Sequence, residues 1–533
     1  MTVVRSSAET VIDIAGADGV RTAIAIVDGV IADIARDDVD AAVARWRGPQ
    51  TDHLRLDGVA HPAFIDTHNH LMLTSANELG VPMAARRSIA DIVDGIRERA
   101  ATTPHGEWVV TAADWHESGI AEGRLPSAAE LDAATADHPI LVLRGGHNGS
   151  ANGLALARAG IDASSPDIAG GIIARDGQRR PLGPLQDEAL VAVQRLLPAP
   201  SEHDLVDGID TVSARYRAHG IGVVRDAAVS VSDVAALRAA HRDGRLHVRT
   251  RAMILSPMSA IAAAGGIDAY LDALEAQGLH PDDGDDVLRV WGLKILLDGG
   301  VEAAALAEPF TDRPEFTGTL LGDTPATTEI VSACVRRGWR VGAHAMGERA
   351  IQTFLDAVDA ARSARLVPAA GQVVIEHGAL ITGAQRRQAR DAGVALTGQQ
   401  ALRDGLVGPF LHALGPDRVA RMFPWRALVD DGVEISAGTD HPIGPLDPLQ
   451  GIVGMTTRRT RAGVLGPDQA IERAEALSLY TTAGARLLGG GLTGALTVGS
   501  PADIVVWPVD LEAASAEDLA GMRPVASWVA GRR

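Results

Sequence analysis

The sequence predicts an α/β protein, a (β/α)8 TIM barrel, and two observations carry that expectation. Eight short apolar runs alternate with longer segments of helical spacing, a pattern that implies parallel strands with helices packed outside them. Several of the runs end on a polar residue able to do chemistry, which is where barrel enzymes carry their sites. The runs are 62–66, 221–226, 248–255, 290–297, 340–344, 373–377, 394–398 and 434–438.

Taken in chain order, the first elements lie outside the barrel. Residues 21–27 and 30–34 are apolar runs on either side of Asp28-Gly29, the short-range signal of a β-hairpin. Near the other end, 499–507 and 525–529 read as further short strands, so the two termini are expected to build one small β-sandwich domain from 1–60 plus 488–533. The barrel then occupies 61–487. Its first connection, 72–220, is far too long for an ordinary loop and contains strand-like runs at 108–112 and 140–143. It is expected to be an inserted subdomain at the active-site rim, shaping or covering a substrate pocket. The acidic stretch 282–286 (DDGDD) reads as a solvated turn.

Bulk properties narrow the function. A chain of 533 residues with 46% hydrophobic content can bury a large core. Its net charge of −19 argues against nucleic acid or an anionic membrane as partner, since both require clustered Lys and Arg. A small-molecule substrate fits better, and a homo-oligomer is a reasonable expectation. The single cysteine, Cys334, excludes an intrachain disulfide. No window approaches the roughly 18 consecutive apolar residues of a membrane span, and residues 1–11 lack the pattern of a secretion signal. Cytoplasm is the expected compartment.

The chemistry begins at His68 and His70. In an extended chain, side chains two residues apart point the same way, so both imidazoles can reach one metal ion. His344 and His377 close two later runs at equivalent places. Four converging imidazoles are expensive to bury without a partner, and neutral imidazole is the commonest zinc ligand. Asp440 follows the last run and can serve as metal ligand, as proton acceptor or as a helix N-cap. Lys294 lies in Trp-Gly-Leu-Lys-Ile-Leu-Leu, where burial favours its neutral amine. Such an amine can react with CO2 to give a carbamate, or the lysine can pair with Asp298 or Glu302.

With these residues in place, the chain resembles the amidohydrolase superfamily, whose ligand order is HxH after strand one, Lys after strand four, His after strands five and six, and Asp after strand eight. More narrowly it resembles amidohydrolase family 3, the group containing N-substituted formamide deformylases. The likeness runs through Phe64-Ile65-Asp66-Thr67-His68-Asn69-His70, Leu293-Lys294-Ile295-Leu296-Leu297-Asp298-Gly299 and Ala343-His344-Ala345-Met346-Gly347-Glu348. It continues in Ile375-Glu376-His377 and Ser436-Ala437-Gly438-Thr439-Asp440, and covers nearly the whole chain.

The resemblance implies one or two divalent metals, zinc before others, held by His68, His70, His344, His377 and Asp440, with carboxylated Lys294 as a bridge. It implies a C–N hydrolase that cleaves an N-substituted formamide or related amide by attack of a metal-bound hydroxide, with Asp440 as proton shuttle. The same centre suits a cyclic amide or lactone hydrolase or an amino-heterocycle deaminase, and a catalytically silent binding protein is the remaining alternative. Substrate contacts are expected from His147 and Trp115 in the insertion, and from Glu302 and His441. His441 stands where relatives usually carry Trp.

Overall fold

The computed structural model describes residues 7–16, 19–145, 148–168 and 171–533. At its centre is an eight-stranded parallel sheet: β1 (Phe64–Asn69), β2 (Ile221–Val229), β3 (Arg249–Leu255), β4 (Leu288–Leu296), β5 (Arg340–Ala345), β6 (Val373–His377), β7 (Ala395–Gly398) and β8 (Ile435–Ala437). Each strand pairs with the next in sequence. Strands β8 and β1 meet through Asp440 N–H to the His68 carbonyl (2.8 Å), His70 N–H to the His441 carbonyl (2.9 Å) and the Thr67 hydroxyl to the Ala437 carbonyl (2.9 Å). The fold is a (β/α)8 barrel, and all eight expected strands are present.

Local sequence explains the elements. Every residue of β6 is buried, as expected for a parallel strand covered on both faces. Helix Thr324–Arg337 starts with the Asp323 side chain accepting the Ala326 N–H and ends at Gly338 in the left-handed region. Helix Glu348–Ser363 follows β5 and buries Ile351, Phe354, Leu355 and Val358 on one face. Cys334 is buried on the first of these helices, and burial pushes its thiol up to about 12, so it stays protonated.

The closest packing occurs where glycine permits it. A Cβ on Gly438 would lie 2.6 Å from the His68 nitrogen, so the ends of β1 and β8 can approach only without a side chain there. On β5, a Cβ at Gly342 would collide with the Glu376 carboxylate.

The chain divides into two compact units, Leu71–Val212 and Met1–His70 with Ser213–Arg533. The first ends inside helix Glu202–Arg217, and the connection continues from there to β2 at Ile221. It contains a five-stranded sheet in the order Gly171–Arg175, Pro181–Asp187, Asn148–Ala151, Ile140–Arg144, Val109–Val110. In the other unit, strands from both chain ends share one apolar cluster that includes Ile12, Ile24, Ile31, Ile504, Val506 and Trp528. The hairpin turns at Asp28 and Gly29, both at positive φ, as an Asp-Gly turn requires. Among the described residues no helix is long and apolar enough to cross a membrane.

Candidate metal centre

The C-terminal ends of the barrel strands bring most of the sequence-predicted residues together. His68 sits in β1 and His70 just beyond it, and both Nε2 atoms approach Asp440 Oδ1, at 3.4 and 3.0 Å. These three residues offer donor atoms within 4.8 Å of one another, the only such group of three among the described residues. The ring of His68 lies 4.6 Å from that of His377, which lies 4.5 Å from that of His344. Asp440 adopts φ 58 and His377 φ 75, strained backbone for residues with a Cβ and a frequent mark of functional positions.

Neighbouring groups fix which nitrogen of three imidazoles carries the lone pair. The Glu376 carboxylate accepts from His68 Nδ1 at 2.5 Å. The Gln399 side-chain oxygen accepts from His377 Nδ1 at 2.7 Å, its own amide being anchored on the Thr397 carbonyl. The Gly299 carbonyl accepts from His344 Nε2 at 3.0 Å. The lone pairs therefore lie on His68 Nε2, His377 Nε2 and His344 Nδ1. Holding each ring by its N–H is how proteins orient histidine for a metal. Burial, reinforced by the neighbouring His344 and His68, keeps His377 well below its ordinary range, so its imidazole is neutral.

Behind these rings stand charges to which the sequence reading gave no role. Glu376 is fully buried, and both its oxygens accept from Arg225 Nη2 at 2.7 Å. Burial opposes its charge, yet Arg225, His68 and Lys294 hold it down at about 2. Arg225 also donates to the Thr67 carbonyl at 2.7 Å and stacks on Trp291 at 4.4 Å. Asp66 ties the end of β1 to the end of β8 by accepting from the Thr439 hydroxyl, the Thr439 N–H and Asn69. A glutamate directly before a candidate ligand in an all-apolar strand, and an arginine inside Ile-Gly-Val-Val-Arg-Asp, were the available signals. Neither identifies its partner across the barrel.

Lys294 is 3% exposed, and burial lowers its amine to about 8 against the attraction of Glu376 and Asp440. Among the described residues no ion pair joins it to Asp298 or Glu302, the pairings weighed from sequence. The Asp298 carboxylate instead accepts N–H groups from Ala305, Met346 and Gly347. Burial pushes Asp298 up to about 7 despite those bonds. Asp440 does not cap a helix with its side chain. Burial works against its charge too, but His68 and His70 hold its carboxyl well below the usual range.

The expected substrate contacts are placed less uniformly. Glu302 lies on the short 3-10 turn Val301–Ala303, after β4. His441 packs edge-on against Tyr216, bonds the Gly444 carbonyl through Nδ1, and is driven down to about 4 by burial. Trp115 belongs to the inserted unit, where it packs against the cluster around Val81 and Ile92 and donates its N–H to the Leu143 carbonyl. His147 lies outside the described residues.

A barrel with these donors at its C-terminal face has the form of a metal-dependent hydrolase. The model of the amidohydrolase family matches residues 57–533, and the chain belongs to that family. It is 26% identical over 494 residues to "Putative amidohydrolase YtcJ" of Bacillus subtilis (strain 168), covering 88% of each chain. It is 27% identical over 489 residues to "N-substituted formamide deformylase" of Arthrobacter pascens, covering 87% of this chain and 86% of that one. In fold it is similar to an uncharacterized metal-dependent hydrolase from Pyrococcus horikoshii OT3, with a TM-score of 0.75 at 21% identity over 95% of this chain and 99% of that one. The protein is a metal-dependent hydrolase acting on carbon–nitrogen bonds.

Proposed function

We propose that this enzyme hydrolyses an N-substituted formamide or a closely related small amide to a carboxylate and an amine, with zinc as its metal. The observation that carries the reading is the convergence of His68, His70, His377, His344 and Asp440 around Lys294, a buried amine with no ion-pair partner among the described residues. The donors fit the metal: three imidazole lone pairs are oriented by protein acceptors, and imidazole with carboxylate suits zinc. His68, His70 and Asp440 would hold one ion, and His344 and His377 a second.

Lys294 would complete the set as a carbamate. Its neutral amine forms an N–C bond to CO2 and loses a proton, which turns a buried cation into an anionic oxygen donor. When bound, the metal lowers the pKa of water from about 15.7 toward about 7 and polarises the substrate carbonyl.

The remaining steps belong to the chain. Asp440 takes a proton from the attacking water as its oxygen bonds to the carbonyl carbon, and returns it to the amine nitrogen as the C–N bond breaks. Glu376, clamped by Arg225, keeps His68 in one tautomer. Glu302 and His441 are proposed as substrate contacts. The formamide class is supported by the Arthrobacter relative, which is similar along most of both chains.

The test is a panel of N-substituted formamides, simple amides, cyclic amides, lactones and amino-heterocycles offered to zinc-replete enzyme, with Asp440→Asn alongside. Stoichiometric formate and amine, absent with the variant, is the expected result. Turnover confined to lactones or amino-heterocycles would overturn the substrate class. Active protein without a transition metal would overturn the metal assignment.

A further inference from the structure

The opposite end of the barrel holds a second concentration of buried charge, composed differently. Arg251 on β3 is in register with Arg289 on β4, and Arg340 begins β5. Arg251 is fully buried. Among the described residues its hydrogen bonds reach only main-chain carbonyls, those of Thr250 and Asp286, and all are long at 3.3 to 3.4 Å. Its Nε has no hydrogen-bond partner among the described residues. A typical N–H···O bond is about 2.9 Å, and a buried guanidinium left this weakly bonded is costly.

Asp286 and Asp503 offset its charge only from a distance and are paired with other arginines. The acidic turn is exposed, as expected, and its carboxylates are already engaged: Asp282 pairs with Arg340 at 2.6 Å, and Asp286 lies 3.5 Å from Arg289. Asp503 pairs with Arg249 at 2.8 Å. Four arginines thus face three carboxylates, and Arg251 has none to itself. Burial and repulsion from Arg289 and Arg249 lower it to about 10, so it remains charged at neutral pH.

What these side chains converge on is a run of three glycines. Gly489, Gly490 and Gly491 all have positive φ and follow helix Thr482–Leu488. A Cβ on Gly490 would lie 3.4 Å from Arg289 Nη1 and 3.5 Å from Arg251 Nη2, and one on Gly489 would lie 4.0 Å from Arg340 Nη2. Arg289 and Arg340 are about one-fifth exposed, which leaves the place accessible.

We propose that the N-terminal mouth of this barrel binds a small oxyanion of the phosphate class, held by Arg289 and Arg340 around the Gly489 to Gly491 loop, with the buried Arg251 adding its charge from behind them. Planar guanidinium forks match oxyanion geometry, and a multivalent anion supplies the charge that Arg251 lacks. The site is distinct from the metal centre, and the inference does not depend on which substrate is hydrolysed there.

The experiment is calorimetric titration of the metal-loaded enzyme with inorganic phosphate, for the native chain and for Arg289→Gln combined with Arg340→Gln. Both replaced residues are partly exposed, so the fold, checked by circular dichroism, is expected to persist. The expected result is a saturable site in the native chain, weakened about tenfold or more in the double variant with amide turnover unchanged. Phosphate held instead by the metal inhibits turnover and binds both proteins alike. Equal binding by the two proteins, or no saturable binding by either, would overturn the proposal.

Discussion

The two ends of the barrel handle buried arginine in opposite ways. Toward the C-terminal ends of the strands, Arg225 is matched by Glu376 through two 2.7 Å contacts, and Glu376 in turn grips His68. At the N-terminal mouth, Arg251 is equally buried and has only long bonds to carbonyls. The first pairs its guanidinium with a carboxylate and orients a ligand, although Arg225 Nη1, like Arg251 Nε, has no hydrogen-bond partner among the described residues. The second lacks an anion. A buried guanidinium with a carboxylate of its own serves geometry, whereas one without such a carboxylate leaves room for an anion that binds.

The largest expected effect lies at the first end. Asp440→Asn retains a hydrogen-bonding group but cannot accept the proton, and kcat is expected to fall by about 10²- to 10⁴-fold. Circular dichroism should stay native. A variant retaining more than about a tenth of the native rate would remove Asp440 from the proton path.

Glu376→Gln tests the paired arrangement itself. It strips the charge that balances Arg225 in a fully buried place, and breaking such a pair costs about 3–5 kcal/mol. It also weakens the acceptor that fixes His68, so metal affinity is expected to fall about 10- to 100-fold. Denaturant unfolding and competition with a zinc chelator read the two effects separately. If stability falls and affinity does not, Glu376 is a structural partner of Arg225 and His68 orients without it.

Gly342→Ala approaches the same pair sterically. The new methyl group would meet the Glu376 carboxylate, and forcing a group into a packed interior costs about 1–3 kcal/mol. A reduced metal affinity, smaller than that of Glu376→Gln, is the expected companion. Unchanged unfolding would mean that the carboxylate can yield without loss.

The division between what the sequence revealed and what it hid follows the same physics. The eight strands were legible because a parallel sheet covered on both faces leaves continuous apolar runs such as Val373-Val374-Ile375. The candidate ligands were legible because each sits at the end of such a run. Arg225, Gln399 and Asp66 were not, since their roles arise from partners 151, 22 and 373 residues away in the chain. Lys294 was ambiguous for a related reason. Its sequence neighbourhood offers Asp298 and Glu302, and only the fold shows Asp298 bonded to the main chain around Met346. The turn at 282–286 is exposed as expected, and what the sequence did not reveal was its pairing with Arg340 and Arg238, 58 and 45 residues away in the chain.

The smallest expected effect distinguishes the two ends most sharply. Arg251→Met exchanges the guanidinium for an unbranched apolar chain and leaves no carboxylate stranded, because none pairs with it. Losing weak bonds to carbonyls while removing a buried charge should change stability by no more than about 1 kcal/mol in phosphate-free buffer, against about 3–5 kcal/mol for Glu376→Gln. Added phosphate should then separate the native chain from the variant. A ligand at about 100 times its Kd stabilises the folded state by about 2.7 kcal/mol, and only the native chain should gain it in full. Denaturant unfolding of both proteins with and without phosphate measures this directly. A large loss in phosphate-free buffer would mean that Arg251 is already satisfied by the protein, and the contrast between the two ends would fail.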